Sequence, residues 1–74
     1  NIIIMTLIHF IGNIRIEVNY DPTERTVDEI SSISVEDADI LNDLMLSGAA
    51  DVIVDSVDWP EVYVEYQQGS EIAA

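Results

Sequence analysis

His9 is the one histidine among 74 residues, in the company of fifteen carboxylates, three tyrosines, one tryptophan and no cysteine. An imidazole works as a general base when a nucleophile lies within hydrogen-bond reach and a third group orients the ring. No spacing in this chain marks such a nucleophile, so His9 reads as a packed or strand-edge side chain. Paired carboxylates are the other chemistry on offer, as in glycoside or metal-assisted hydrolysis. With fifteen acids in so short a chain, some pair is always close, and the pairing carries little information. Asp37, Asp39 and Asp43 do not match a calcium loop, which needs alternating ligands, a mid-loop glycine and a closing glutamate. The expectation is a non-enzymatic protein with no catalytic residue, no cofactor and no metal site.

Charge is the stronger signal. The formal net charge is −13, and Arg15 and Arg25 are the only basic residues apart from His9. After Arg25 come twelve acids and no cation. Direct nucleic-acid binding is disfavoured, because phosphate neutralisation needs Lys and Arg. A single-sign field instead steers a partner of opposite charge. Ordinary solubility or adaptation to high salt accounts for the same acids without any partner. Disorder is not implied, since hydrophobic residues make up 49% of the chain and disorder requires low hydrophobicity as well as high charge.

The elements that must position these groups begin with a hairpin, residues 4–11 and 14–20, turning at Gly12-Asn13. Residues whose numbers sum to 25 then face each other. Ile11, His9, Leu7 and Met5 lie with Ile14, Ile16, Val18 and Tyr20 on the core face, because side chains alternate along a strand. The other face carries Ile2, Ile4, Ile8 and Phe10 beside Arg15 and Glu17. A third strand is expected near 27–35, and a helix over 38–47 with an acidic first turn and Ser47-Gly48 as its stop. Residues 49–58 fit either a second helix or a strand alternating Val52, Val54 and Ser56 with Asp51, Ile53 and Asp55; the helix separates apolar from charged residues better and places Asp51, Asp55 and Asp58 on one stripe. Trp59-Pro60 ends it, and Val62, Val64 and Tyr66 alternate as a strand over 61–67. Residues 68–74 read as a flexible tail. The fold class is α+β in one small domain spanning 1–74, an antiparallel sheet with one or two helices on one face. Trp59 reads as core.

The apolar run at the start is about half the ~20 residues a bilayer crossing needs, so no membrane association is expected and the location is taken as cytoplasmic. Two surfaces remain for function. One is an acidic face of Glu36, Asp37, Asp39, Asp43, Asp51, Asp55, Asp58 and Glu61, suited to a protein with a basic surface, as an inhibitor presenting carboxylates in place of phosphates. The other is the apolar face of Ile2, Ile4, Ile8 and Phe10, suited to a homodimer or an assembly subunit. Small size, acidity and lack of motifs are typical of phage or mobile-element accessory proteins, a likeness of class alone.

Overall fold

A computed structural model describes residues 3–73, with side chains described through Gln68. Ile2 therefore lies outside the described residues. The chain runs β1 (Met5–Ile11), β2 (Ile14–Asp21), β3 (Thr26–Val35), β4 (Ala38–Asp39), α1 (Leu41–Ser47), α2 (Ala49–Asp55) and α3 (Trp59–Ala73). The four strands form one antiparallel sheet in sequence order, which makes this a small α+β fold.

The hairpin register is the expected one, from Met5 opposite Tyr20 to Ile11 opposite Ile14. Gly12 has φ of +60°, and among the described non-glycine residues only Arg25, Glu36 and Asp37 have positive φ. A positive φ at the first loop position alone defines a II′ turn, whose twist matches that of the flanking strands. Leu7, Ile16, Val18 and Tyr20 are buried on the core face together with Ile33. Ile11, expected among them, is 40% exposed because it sits at the turn end of an edge strand.

β3 reaches the core face by an unusual route. Val27, Ile30 and Ile33 pair with Tyr20, Val18 and Ile16, a spacing of three against two, with register shifts between Glu17 and Val18 and between Asn19 and Tyr20. Each bulge inserts one residue, so each apolar side chain returns to the same side. The extra twist suits a sheet wrapped by helices.

Three sequence expectations are corrected. Residues 38 and 39 are strand β4, since Val35 pairs with Ala38 and the Ile40 N–H donates to Ile33 O at 2.8 Å. The helix thus starts at Leu41, where Asp39 Oδ1 accepts the backbone N–H at 2.9 Å. The segment 49–58 is helical only through Asp55, after which the Ser56 hydroxyl donates to Ile53 O and the chain turns. The segment 61–67 is helix, not strand. Trp59 and Val62 are buried and Tyr63 packs against the core, whereas Val64 and Tyr66 are about half exposed. That is helical spacing. Pro60 falls in the first turn, where its missing N–H costs nothing. α3 carries the backbone on to Ala73.

The helices cover one face of the sheet. Ala50, Val54, Trp59 and Val62 close the core over Leu7, Ile16, Val18, Tyr20 and Ile33. Trp59 is the keystone, with its indole N–H donating to Val54 O at 2.9 Å and its ring meeting His9 edge-on at 6.1 Å.

Candidate interaction surfaces

All eight acids of the expected acidic face are exposed, but they do not form one row. Glu36 and Asp37 make the β3 to β4 turn with φ of +49° and +72°. Asp39 holds the start of α1, and Asp43 lies in its first turn. Asp51 and Asp55, one turn apart on α2, stand across a groove from Asp28 on β3; Glu29 lines the groove too, but its carboxylate accepts from the Asn19 amide at 3.4 Å on the open face of the sheet. The groove floor is Val27, Ile30, Met45 and Val54, and its volume is about 440 Å³. Asp58 leaves the stripe that a longer helix would have given it. It faces the start of α3, where its Oδ1 accepts the Glu61 N–H at 3.4 Å.

Asp58, Glu61 and Glu65 form a second group along α3, beside His9 and Ile11 at the β1 edge. Sequence reasoning passed over Asp28 and Glu65 as site residues. Asp28 comes to α2 through a bulge of β3, which no alternating pattern reveals. The order Asp58-Trp59-Pro60-Glu61 did carry a helix-start signal, an acid followed three residues later by glutamate.

The open face of the sheet is different in kind. Ile4, Ile8 and Phe10 stand along β1 at 40, 43 and 59% exposure. Beside them on β2, Arg15 pairs with Glu17 at 2.9 Å, and Glu17 also accepts the Ser31 hydroxyl at 3.0 Å. This is the one ion pair among the described residues. Polar groups thus fill the middle of the open face and apolar side chains its β1 margin.

Among the described residues, no cluster of His, Asp or Glu is arranged to hold a metal ion. No described helix is long and apolar enough to cross a membrane. Burial pushes the Tyr20 phenol above the usual value, opposed by Arg25 and reinforced by Tyr63, Asp58 and Asp21. Its ring packs on Tyr63 at 5.6 Å, so Tyr20 acts in the core. No family model, curated protein or solved structure matches this chain.

Proposed function

We propose that this protein is a non-enzymatic interaction module that binds a basic, nucleic-acid-binding protein by presenting carboxylates where that protein expects phosphates. The observation that carries this reading is the β3 to α2 groove, where Asp28, Asp51 and Asp55 rim an apolar floor. A Lys or Arg side chain lays its methylenes on such a floor and keeps its charged head at the rim. Residues one helical turn apart, as Asp51 and Asp55 are, stand about 5–6 Å from each other. Duplex DNA carries one charge per ~1.7 Å of axis. Carboxylates spaced more widely than phosphates compensate by rigid placement, which the short connections between the helices provide.

The test uses the immobilised protein to capture a nucleic-acid-binding partner, which is then challenged with salt and with competing duplex DNA. Exposed charges are screened beyond about 8 Å at physiological ionic strength, so raised salt and DNA each release the partner. Replacing Asp51, Asp55 and Asp58 by Asn weakens capture, while Asn keeps the helix-start bond at position 58. Capture indifferent to salt, DNA and this variant refutes mimicry.

A second reading, self-association as a homodimer or assembly subunit, is supported by the exposed Ile4, Ile8 and Phe10 on the face opposite the helices. Sedimentation tests it directly, and binding of this kind survives salt.

A further inference from the structure

β1 is an edge strand with nothing among the described residues paired to its outer side. Long apolar edges are templates for another strand, and proteins normally blunt them with charge, proline, bulges or brevity. β1 has none of these. Its seven residues, MTLIHFI, include no acid, no Lys or Arg and no proline, and its pairing with β2 has no register shift. The opposite edge, β4, is two residues long and follows the acidic turn at Glu36 and Asp37.

Charge says what can cover β1. All fifteen carboxylates follow Ile16, and the first sixteen residues carry Arg15 as their one fixed charge. A second copy of so acidic a chain is repelled by most of this surface, and β1 is the strand where the copies meet without an acidic residue in either strand. We infer that two copies of this chain pair edge to edge through β1, antiparallel, into one continuous eight-stranded sheet. This rests on the self-association reading and names its geometry.

The II′ turn sets the register. Ile11 and Ile14 close the turn as a hydrogen-bonded pair, so the backbone groups of odd-numbered β1 residues face β2 and those of Thr6, Ile8 and Phe10 face outward. A two-fold axis at Ile8 places Ile8 against the partner's Ile8, and Thr6 of each copy against the partner's Phe10. The apolar margin of the open face then becomes a shared central stripe. The antiparallel sense also separates the acids over the His9 and Ile11 end of each strand, Asp58, Glu61 and Glu65. The two groups fall at opposite ends of the pair, about 14 Å apart along the strands at ~3.4 Å per residue, beyond the ~8 Å screening length. Salt therefore leaves this dimer intact or tightens it, opposite to its effect on a basic partner.

The experiment combines sedimentation with cysteine cross-linking in a chain that has no cysteine of its own. The expected mass is twice the 8.2 kDa monomer. Ile8→Cys cross-links under mild oxidation, because a hydrogen-bonded antiparallel pair holds its Cα atoms about 5.5 Å apart, within disulfide reach. Thr6→Cys does not, its two copies being roughly four residues apart along the pair. Ile8→Pro removes one outward donor from each copy without touching the β1 to β2 ladder, and raises the dimer dissociation constant at least about tenfold. A monomer at every concentration overturns self-association and this geometry together. A dimer in which Thr6→Cys links as fast as Ile8→Cys, or which Ile8→Pro leaves unchanged, overturns edge pairing alone and leaves a face-to-face dimer. If Ile8→Pro does not fold, the two cysteine variants decide.

Discussion

The sheet has two edges built to opposite rules. β1 is seven residues of flat, unbulged, uncharged strand, while β4 is two residues set between Glu36 and Asp37 on one side and Asp43 on the other. At β4 the carboxylates also build structure, since Asp39 starts α1 and both turn acids accept left-handed backbone. β1 itself carries no acid, the carboxylates nearest it, Asp58, Glu61 and Glu65, stand only over its His9 and Ile11 end, and the neighbouring Arg15 and Glu17 satisfy each other. Acids that shape turns and caps on one side therefore double as an electrostatic fence, and the edge whose own strand holds no acid is where another strand can approach.

The comparison is broken most severely at Trp59, which joins the two sides by touching His9 of β1 and bonding Val54 of α2. Trp59→Ala costs about 3–5 kcal/mol in chemical denaturation and unseats α3 from the sheet, seen as loss of near-ultraviolet dichroism. Next comes a pair of neighbours on β1. Leu7→Ala empties a fully buried site and costs about 2–5 kcal/mol, whereas Ile8→Ser, on the open face, changes monomer stability by only about 0.5 kcal/mol or less. The Ile8 change is read instead in dimer dissociation by sedimentation. Equal effects of the two on monomer unfolding would mean that the open face is covered within one chain.

At the other edge, Asp39→Ala removes the acceptor for the Leu41 N–H and costs about 1 kcal/mol in thermal unfolding, while Asp39→Asn keeps most of the bond. A matching loss in both would make the acid's charge, not its hydrogen bond, the working part. The smallest effect is at alkaline pH. The Tyr20 phenol titrates above its unfolded value of about 10, so the native state holds this proton where the unfolded chain has released it. Stability is complete below that pH and falls as pH rises through the native value. Tyr20→Phe flattens this decline, measured by denaturation at stepped pH.

Much of the frame was legible beforehand, and the reasons are local. Gly12-Asn13 between two alternating runs specifies both the turn and every pair that follows, because a strand repeats every two residues and a one-residue slip would expose Leu7, Val18 and Tyr20. The acidic excess and the dearth of cations are facts of composition and needed no fold. The eight exposed acids were legible one by one, while their grouping was not. Asp51 and Asp55 were placed on one face by helical period, but Asp58 depended on where α2 stopped.

What the amino-acid order determined by itself, then, is the β1 to β2 hairpin with its apolar and mixed faces, a third strand near 27–35, a helix within 38–47, and the sign of the charge. The tertiary structure decided the rest. A strand near 27–35 was expected and forms as β3, but Val27, Ile30 and Ile33 are spaced as in a helix and reach one core only because bulges against β2 return each to the same side. Val62, Val64 and Tyr66 alternate like a strand, yet burying Trp59, Val62 and Tyr63 against Leu7 and Tyr20 outweighs the few tenths of a kcal/mol by which valine disfavours a helix. Local periodicity fails in both segments for one reason. A short stretch holds only three or four apolar residues, and their spacing alone does not say which surface they will meet.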